Sequence, residues 1–440
     1  MKPGARVGAA IELLESIEQT GMPADRAASG YFRSRRYIGS KDRRAVGDLL
    51  FTVLRARQRL KWWLARAGIS APTQREQVLS AIQLSQQSTP EEMAALFCGE
   101  AYAPAKFTDR EARLVTALSG AQLDHPEQPD WVRDEVEPWL HERLQARFGA
   151  DMAAQMAALG READVILRVN SLKADPATAR EALAGEDVPV LETALSPLAL
   201  RVEGRRALQA TRAFQEGLIE VQDEGSQIIA LLCDAQPGMA VADFCAGAGG
   251  KTLALAAQME NRGRLVALDL EAARLNRAEP RLQRAGVTIV EKQLLPDAAW
   301  LGENFDLFHR VLVDAPCSGS GVWRRQPDAR ATLTPERLAD YLAAQAEVLK
   351  GAAPLVRPGG RLIYATCSLL PEEDERQVEA FVARHPEFAV RPVAGIWSEI
   401  FPGTPCPADG PYLLLTPATH GTDGFFVAIL ERRDPAPGPA

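Results

Sequence analysis

The 440-residue chain lacks several signatures that would place it outside a reducing, aqueous compartment. None of its six cysteines forms a Cys-x-x-Cys pair, which excludes a zinc ribbon and a thioredoxin-type redox motif. Its first 21 residues include Glu12, Glu15 and Glu18, so they do not read as a secretory signal peptide. No apolar run approaches the ~18 residues that a membrane-spanning helix needs. We therefore expect a cytoplasmic protein with reduced thiols and no membrane partner.

The chain also has fewer basic than acidic residues, but this deficit is unevenly distributed. It contains 50 Lys and Arg against 58 Asp and Glu, a net charge of −8. Residues 1–68 contain 14 basic and six acidic side chains, a net charge of +8, so the rest of the chain has −16. This asymmetry points to a polyanion-binding N-terminal segment, although a solvated helix face would have the same composition. The acidic total therefore does not exclude a nucleic-acid partner.

Hydrophobic periodicity divides the chain into an all-α part and two parts that contain strands. Apolar residues spaced by three and four predict helices over residues 1–125, with a basic face opposite the apolar one. The stretch His125–Asp130 is predicted to be a linker, and residues 130–215 a small α+β module. Strand and helix patterns alternate over residues 216–433, which predicts a parallel, doubly wound sheet. Residues 434–440 are predicted to be a disordered tail.

Five strands are predicted in the alternating region. They are Ala240–Phe244, Arg264–Leu270, Val287–Val290, Arg310–Asp314 and Arg361–Thr366. The segments Tyr412–Leu415 and Phe425–Leu430 are predicted to form a closing hairpin. In an open parallel sheet, ligands bind outside the carboxyl ends of the strands, so residues that directly follow strands are the candidate site residues.

A glycine-rich turn, Cys245-Ala-Gly-Ala-Gly-Gly-Lys-Thr252, follows the first of these strands. It is not a Walker A loop, because Cys245 stands where that motif has its first glycine. It is not the dinucleotide fingerprint, because Thr252 stands where that motif has its third glycine. Asp269 ends the second strand 22 residues after Gly247, where a carboxylate can bind both ribose hydroxyls of an adenosine cofactor. S-adenosylmethionine fits this pair, and a purely structural tight turn is the alternative.

Two cysteines lie at the predicted tips of neighbouring strands. Cys317 follows Asp314 after the fourth strand and Cys367 follows the fifth, so both are expected to face the cofactor crevice. A thiolate beside a methyl donor suits methylation of cytosine carbon 5, which becomes nucleophilic only after a thiolate adds at carbon 6. A carboxyl group at the N3 edge of the ring would stabilise the developing charge. Methylation of an exocyclic nitrogen needs no such nucleophile.

In order and spacing, these motifs resemble the Sun/Nop2 family of RNA 5-methylcytosine methyltransferases. The resemblance extends from about Arg168 to Leu430. It rests on Arg168-Val-Asn-Ser-Leu-Lys173, Val221-Gln-Asp-Glu-Gly-Ser-Gln227, Cys245–Thr252, Asp314–Cys317, Thr366–Ser368 and Asp423-Gly-Phe-Phe426. It implies an α/β Rossmann-like class I methyltransferase domain, S-adenosyl-L-methionine as the cofactor and RNA as the partner. We expect no metal site and a monomer.

The resemblance also implies roles for individual residues. Cys367 is implied to be the nucleophile, and Cys317 to assist release of the methylated RNA. Asp314 would hold the cytosine edge near the methyl donor, with Lys251 close to the reacting groups. The implied cofactor-binding residues are Cys245, Ala246, Gly247, Ala248, Gly249, Gly250, Lys251, Asp269, Asp297 and Asp314.

The chain departs from the family pattern in three places. Ala248 replaces the usual loop proline, which keeps the glycines and makes the loop more flexible. Leu294 and Leu295 stand where the family has an acid near the adenine, and Asp297 is an approximate substitute. Phe305–Arg310 is longer than the usual lead-in to the Asp-Ala-Pro-Cys strand.

The N-terminal segment resembles the helical domain related to the antitermination factor NusB, chiefly in Lys41-Asp-Arg-Arg-Ala-Val-Gly-Asp-Leu-Leu50. This attachment is typical of family members that act on bacterial small-subunit rRNA, so 16S rRNA is the expected substrate. Trp323 could stack on an extruded base beside two arginines, and a packed surface turn is the alternative. The candidate RNA contacts are Arg43, Arg44, Arg168, Lys173, Trp323, Arg324 and Arg325.

Two alternatives stay open at this point. The same chemistry would serve a tRNA cytosine-5 methyltransferase. A non-catalytic RNA-binding ribosome assembly factor could also retain the fold, but the presence of both cysteines and of the acids Asp269 and Asp314 argues against it.

Overall fold

A computed structural model describes residues 1–434 of the chain and divides it into two compact units. The first unit contains Met1–Gly160 and Trp323–Leu333, and the second contains Arg161–Val322 and the chain from Thr334 onwards. The predicted tail 434–440 lies, apart from Asp434, outside the described residues. Within residues 1–434, no helix is both long and apolar enough to cross a bilayer.

The first unit is built from helices, as its periodicity predicts. Threonine capping boxes begin three of them, at Thr73, Thr89 and Thr108, where the hydroxyl and a glutamate three residues later satisfy free N–H groups. The apolar faces meet in one core that includes the fully buried Leu50 and Leu64. The helices are Pro3–Thr20, Ala24–Ser34, Ser40–Arg55, Arg57–Arg66, Gln74–Gln86, Pro90–Leu96, Asp109–Leu118, Asp130–Arg133, Pro138–Phe148, Met152–Leu159 and Pro327–Thr332.

The grouping of residues 130–215 in one module stays a prediction, but residues 130–160 belong to the first compact unit. Glu135 shows the physical reason. Its carboxylate is 7% exposed and accepts hydrogen bonds from the Gln58 N–H at 2.7 Å and from the Arg59 guanidinium at 2.7 Å. These charge-assisted bonds fix the segment that follows the predicted linker to the helix Arg57–Arg66.

The second unit begins with an antiparallel sheet of four strands. They are β1 (Ile166–Val169), β2 (Val190–Glu192), β3 (Ala199–Val202) and β4 (Ile219–Val221), in the order β2-β3-β1-β4. The helices Pro176–Ala184 and Arg212–Gln215 belong to the same module. Their side chains form a small core around Leu167 and Leu183, so this part is the predicted α+β module.

The rest of the second unit is a mixed, mostly parallel sheet. Its strands are β5 (Ala240–Asp243), β6 (Arg264–Asp269), β7 (Val290–Leu294), β8 (Phe308–Asp314), β9 (Val356–Thr366), β10 (Phe388–Arg391), β11 (Leu413–Leu415) and β12 (Phe425–Arg432). The order is β10-β12-β9-β8-β5-β6-β7, with β11 paired to β12. The strands β5 to β9 are parallel, and β10, β11 and β12 pair antiparallel. Because β5 has β6 on one side and β8 on the other, its carboxyl end is the switch point where such folds bind ligands.

Helices connect these strands, as the alternating pattern predicts. They are Glu224–Leu232, Gly250–Gln258, Ala272–Ala285, Ala298–Glu303, Pro335–Ala352, Glu375–Arg384, Val393–Ile400 and Pro417–His420. The predicted hairpin is confirmed, with Leu413 opposite Val427. The third predicted strand is displaced: β7 begins at Val290, where the prediction ended. This strand lies at the sheet edge, and three of its five residues are exposed, so a search for hydrophobic runs does not detect it.

Candidate active site

The glycine loop lies between β5 and the helix Gly250–Gln258, at the switch point of the sheet. Gly247 and Gly249 have φ angles of +57° and +79°, in the left-handed region that favours glycine. A Cβ on Gly249 would come within 2.9 Å of the Ala278 side chain. A Cβ on Gly247 would meet no atom within 4 Å, so a ligand can approach the backbone there. The loop therefore has the conformation and the open space that a bound cofactor needs.

Asp269 lies beside this loop at the end of β6 and is 5% exposed. One carboxylate oxygen accepts a hydrogen bond from the Gly247 N–H at 2.9 Å, and the other accepts one from the Glu271 N–H at 2.9 Å. Because a carboxylate has about four acceptor sites, these two bonds orient it and leave capacity for ribose hydroxyls. The residues present thus fit the nucleoside part of S-adenosylmethionine.

Two arginines, Arg168, which is buried, and Arg281, which is half-buried, hold the glycine loop. Arg168 donates to the Gly250 carbonyl at 2.9 Å, and Arg281 donates to the Ala248 carbonyl at 2.5 Å. Arg168 is 4% exposed, and burial lowers its pKa to about 10. The prediction that Arg168 contacts RNA is therefore wrong, because its guanidinium points to the loop backbone and has almost no exposed surface.

Lys173, at the other end of the same motif, also contacts the protein itself. Its ammonium donates to the carbonyls of Glu216 and Arg284 at 2.8 and 2.7 Å. Asn170 donates to the Ala285 carbonyl at 2.9 Å. These bonds fasten the α+β module to the end of the helix Ala272–Ala285. Lys173 is exposed but its ammonium serves this junction, which does not favour its predicted role as an RNA contact.

Lys251 and Asp314 form an ion pair, with Nζ 2.6 Å from Oδ2. Lys251 is 9% exposed. Burial alone would lower the pKa of this lysine, but the charge of Asp314 and its hydrogen bond raise the pKa above its ordinary value. The Phe425 ring lies 5.8 Å from the ammonium. Lys251 is therefore a fixed positive charge that positions Asp314 at the carboxyl end of β8.

Cys317 and Cys367 meet as the strand positions predict, with their sulfur atoms 3.3 Å apart. Both thiols are half-buried. The hydrogen bond with Cys367, followed by burial, raises the pKa of Cys317 well above its ordinary value. Cys317 therefore keeps its proton at neutral pH and can donate it to the Cys367 sulfur. The assignment of Cys367 as the nucleophile stays a prediction.

Glu373, which the sequence analysis did not single out, joins the loops of both cysteines. It is 0% exposed. One oxygen accepts a hydrogen bond from the Ser318 N–H at 2.8 Å. The other accepts bonds from the Ser318 hydroxyl and, at 2.5 Å, from the Ser368 hydroxyl. Because these serines directly follow Cys317 and Cys367, one carboxylate fixes the spacing of the two thiols.

The Asp423–Phe426 motif packs against the loop that follows β8. The Gly424 N–H donates to the Gly321 carbonyl at 2.9 Å, and the Gly321 N–H donates to the Cys367 carbonyl at 2.9 Å. A Cβ on Gly321 would lie 2.3 Å from the Gly424 carbonyl oxygen. Glycine is needed at this contact, which explains why a motif so far from the cysteines in sequence belongs to their site.

Asp297 follows β7 and caps the helix Ala298–Glu303. One carboxylate oxygen accepts from the Trp300 N–H at 3.0 Å, and the other accepts from the Gln293 side-chain amide at 3.1 Å. These bonds fix Asp297 at the carboxyl edge of the sheet, the edge at which Asp269 lies. A contact between Asp297 and adenine stays a prediction.

Trp323 and Arg324 lack the exposure that an RNA contact requires. Trp323 is 0% exposed, and its ring lies 4.8 Å from the Arg330 guanidinium inside the first unit. Arg324 is 7% exposed. The prediction that Trp323 stacks on an extruded base is therefore wrong, because neither face of its ring is open. Arg325 is half-buried, and its RNA contact stays a prediction.

Comparison with known proteins decides the family. The model of the 16S rRNA methyltransferase RsmB/F family matches residues 230–431, and the model of the ferredoxin-like domain of RsmF/B-like methyltransferases matches residues 137–209. The chain is 30% identical to ribosomal RNA small subunit methyltransferase B of Salmonella typhi over 422 residues, which cover 90% of this chain and 92% of that protein. The chain belongs to the RsmB/F family of rRNA methyltransferases. Its methyl donor is accordingly S-adenosylmethionine, as the glycine loop and Asp269 predict.

Other similar proteins agree with this assignment. A probable ribosomal RNA small subunit methyltransferase B of Bacillus subtilis is 35% identical over 270 residues, which cover 61% of this chain and only 59% of the Bacillus protein. The crystal structure of PH0851 has a TM-score of 0.79 and 26% identity, covering 98% of this chain and 99% of that one. NSun6 from Pyrococcus horikoshii has a TM-score of 0.59 and 22% identity, covering 68% of this chain and 99% of its own, and shows the same fold. The Rossmann-like methyltransferase part of the predicted fold class is confirmed.

Removing the negative charge of Asp269 is expected to weaken cofactor binding at the glycine loop. Asp269→Asn should raise the Kd for S-adenosylmethionine about 10- to 100-fold, because hydrogen bonds to a charged group contribute about 1.5–3 kcal/mol. Isothermal titration calorimetry measures this change. Glu260→Gln is the matched control, since Glu260 is exposed and pairs only with a surface arginine, Arg262. Equal affinities in all three proteins would remove Asp269 from the cofactor site.

Glu373→Gln is expected to slow methyl transfer about 10- to 100-fold without a matching change in the affinity for S-adenosylmethionine. The glutamine amide is uncharged and has only one acceptor oxygen, so it cannot bind both serines as the carboxylate does. The spacing of the two thiols should therefore be lost. The rate of thiol alkylation as a function of pH reports this spacing, and its profile should shift. The neighbouring Glu372→Gln is the control, because Glu372 forms a helix-start ion pair with Arg376. An unchanged alkylation profile in Glu373→Gln would show that the carboxylate does not position the thiols.

Proposed function

We propose that this protein methylates carbon 5 of a cytosine in 16S rRNA through a covalent bond between Cys367 and carbon 6. The observation that supports this proposal is the thiol pair, 3.3 Å apart, at the carboxyl ends of neighbouring strands β8 and β9. The ion pair between Lys251 and Asp314 lies at the carboxyl end of β8, the strand that Cys317 follows. A methyltransferase that acts on an exocyclic nitrogen would need neither thiol.

In the proposed reaction, the Cys367 thiolate adds to carbon 6 and the electrons of the carbon 5–carbon 6 double bond move into the ring. Asp314, held by Lys251, would accept a hydrogen bond from the amino group beside N3, and the Lys251 ammonium would stabilise the negative charge that develops on the ring. S-adenosylmethionine, held by the glycine loop and Asp269, supplies the methyl group. Carbon 5, which has attacked that methyl group, then gives its proton to a water molecule, the double bond re-forms and the bond between sulfur and carbon 6 breaks. Cys317 is placed to donate its proton to the departing Cys367 sulfur.

RNA binding by the first unit is part of the same proposal. This unit is all-α, and we propose that it is related to NusB and contacts rRNA through the predicted residues Arg43 and Arg44. Arg44 is exposed and Arg43 is half-buried. The curated relatives that match most of this chain are named for the small ribosomal subunit, which favours 16S rRNA over tRNA.

Bisulfite mapping of cellular RNA tests the substrate. In a strain that lacks this protein, we expect one 5-methylcytosine of 16S rRNA to disappear and to return when the gene is restored. Restoration with Cys367→Ala is the matched control and should fail. A 16S rRNA profile that is unchanged by the deletion, with a methylated cytosine lost from tRNA, would contradict the rRNA assignment and support the tRNA alternative.

A further inference from the structure

Five cations of the first unit lie close together in sequence and have no carboxylate partner. They occupy the end of the helix Ala24–Ser34, the following turn and the first turns of the helix Ser40–Arg55. Among residues 1–434, we find no ion pair for any of them. They are Arg33, Arg36, Lys41, Arg43 and Arg44.

The acids near these cations already have other partners. Asp42 binds the N-terminal ammonium at 2.7 Å and Arg6 at 2.8 Å. Glu12 binds the Tyr31 hydroxyl at 2.8 Å and Arg35 at 3.5 Å. Arg35 is thus the one arginine of this stretch with a carboxylate, and its guanidinium also stacks on the Tyr31 ring at 3.8 Å. The remaining positive charge is available for an external anion.

Three of these arginines line a cavity of about 420 Å³. Arg33, Arg36 and Arg43 form its walls together with Ser29 and Phe32. Arg43 is held in place, because its Nε donates to the Ile38 carbonyl at 2.7 Å. Such preorganisation lowers the entropy that binding would otherwise cost. Guanidinium groups that line one cavity without a carboxylate match the multiple oxygen acceptors of a phosphate group.

An exposed aromatic residue lies next to this cavity in the chain. Tyr37 directly follows Arg36 in the turn before the helix Ser40–Arg55, and it is 75% exposed. A tyrosine ring that stays in water is a platform on which an unpaired base can stack. An acidic protein partner would pair with the arginines, but it has no base that could stack on the Tyr37 ring.

We propose that Arg33, Arg36 and Arg43, the arginine pocket, bind backbone phosphates of single-stranded RNA, and that Tyr37 stacks on an adjacent unpaired base. This inference rests on the proposed function and adds to it a specific RNA site on the first unit. The site selects unpaired over paired RNA, because a base within a duplex has no free face for Tyr37.

Fluorescence anisotropy with a labelled single-stranded 12-nucleotide RNA tests the pocket in the full-length protein. We expect Arg33→Gln/Arg36→Gln to raise the Kd at least about 10-fold and to lower the slope of log K against log salt by about 1.4, since each lost phosphate contact contributes ~0.7. Arg35→Gln is the matched control and should stay within about twofold. Both altered arginines are exposed, so folding should survive, and thermal unfolding checks this. An unchanged Kd and salt slope in a folded double variant would overturn the proposal.

The stacking part has its own test. Tyr37→Ala should weaken RNA binding about 5- to 100-fold, whereas Tyr37→Phe should bind as the unaltered protein does. Neither change should affect binding of inorganic polyphosphate, which has no base. If Tyr37→Ala left RNA binding unchanged, or weakened polyphosphate binding equally, stacking on a base would be excluded. If the double arginine variant lost affinity for polyglutamate but not for RNA, the partner would be an acidic protein instead.

Failure of this inference and failure of the proposed function give different results. Should the arginine variants bind RNA normally while the protein still methylates cytosine, only the pocket is rejected. Should they bind RNA poorly as expected while the unaltered protein fails to methylate cytosine, the pocket stands and the proposed function is rejected.

Discussion

Replacing Cys367 by alanine is expected to lower the rate of methyl transfer to RNA at least about 10⁴-fold, the scale on which loss of a covalent nucleophile acts. Without the sulfur, carbon 5 of the cytosine does not become nucleophilic, and the donated methyl group has no acceptor. The affinity for S-adenosylmethionine should stay within about threefold, because the glycine loop and Asp269 lie on β5 and β6 rather than on β9. Transfer of a labelled methyl group to 16S rRNA measures the rate.

The control for this prediction is Cys406→Ala, which removes a half-buried thiol outside the site. It should methylate RNA at the rate of the unaltered protein. Full activity of Cys367→Ala would contradict the assignment of the nucleophile. If Cys317→Ala lost activity and formed no adduct while Cys367→Ala stayed active, the roles of the two cysteines would be reversed.

Replacing Cys317 by alanine is expected to trap the protein on RNA. The raised pKa of Cys317 keeps a proton 3.3 Å from the Cys367 sulfur, where it can be donated as the bond to carbon 6 breaks. Without that proton the elimination should slow about 10²- to 10⁴-fold, the scale of general acid catalysis, so the covalent species accumulates. A denaturing gel should show a protein band shifted by the mass of the RNA.

The double variant Cys317→Ala/Cys367→Ala is the control for trapping, since it lacks the sulfur that forms the bond. Its band should not shift. A Cys317→Ala protein that turns over normally and forms no adduct would show that Cys317 has no part in release. A shifted band in the double variant would show that another residue bonds to the RNA.

The local part of the site could be predicted because each residue follows a strand. The carboxyl ends of parallel strands lie at one edge of the sheet, so identifying the strands before Asp269, Cys317 and Cys367 was enough to bring these side chains to that edge. The glycines are local as well, since the turn after β5 requires positive φ angles whatever the rest of the chain does.

Other parts depend on contacts that sequence patterns do not reveal. Trp323 looked like an exposed loop aromatic because its loop follows Cys317, yet the structure buries it fully against Arg330 of the first unit. Arg168 looked like a surface cation, but its partner is a carbonyl 82 residues away. In both cases the burial comes from tertiary contacts that hydrophobic periodicity does not encode.

Glu373 was missed for a related reason. The run Glu372-Glu373-Asp374-Glu375 resembles the solvated first turn of a helix, whereas the helix begins at Glu375 and both Glu373 and Asp374 are 0% exposed. Asp374 accepts a hydrogen bond from the Thr366 hydroxyl at 2.7 Å. A signal was nonetheless present, because four consecutive acids shortly after the end of β9 have more charge than a helix start requires.

Release of tritium from carbon 5 tests the central proposal most directly. 16S rRNA transcribed with [5-³H]cytidine is incubated with the protein and S-adenosylmethionine, and the tritium that enters water is compared with the methyl groups transferred. Substitution at carbon 5 predicts one tritium released for each methyl group, and no release by Cys367→Ala. Methyl transfer without tritium release would place the methyl group on another atom and contradict the proposed chemistry.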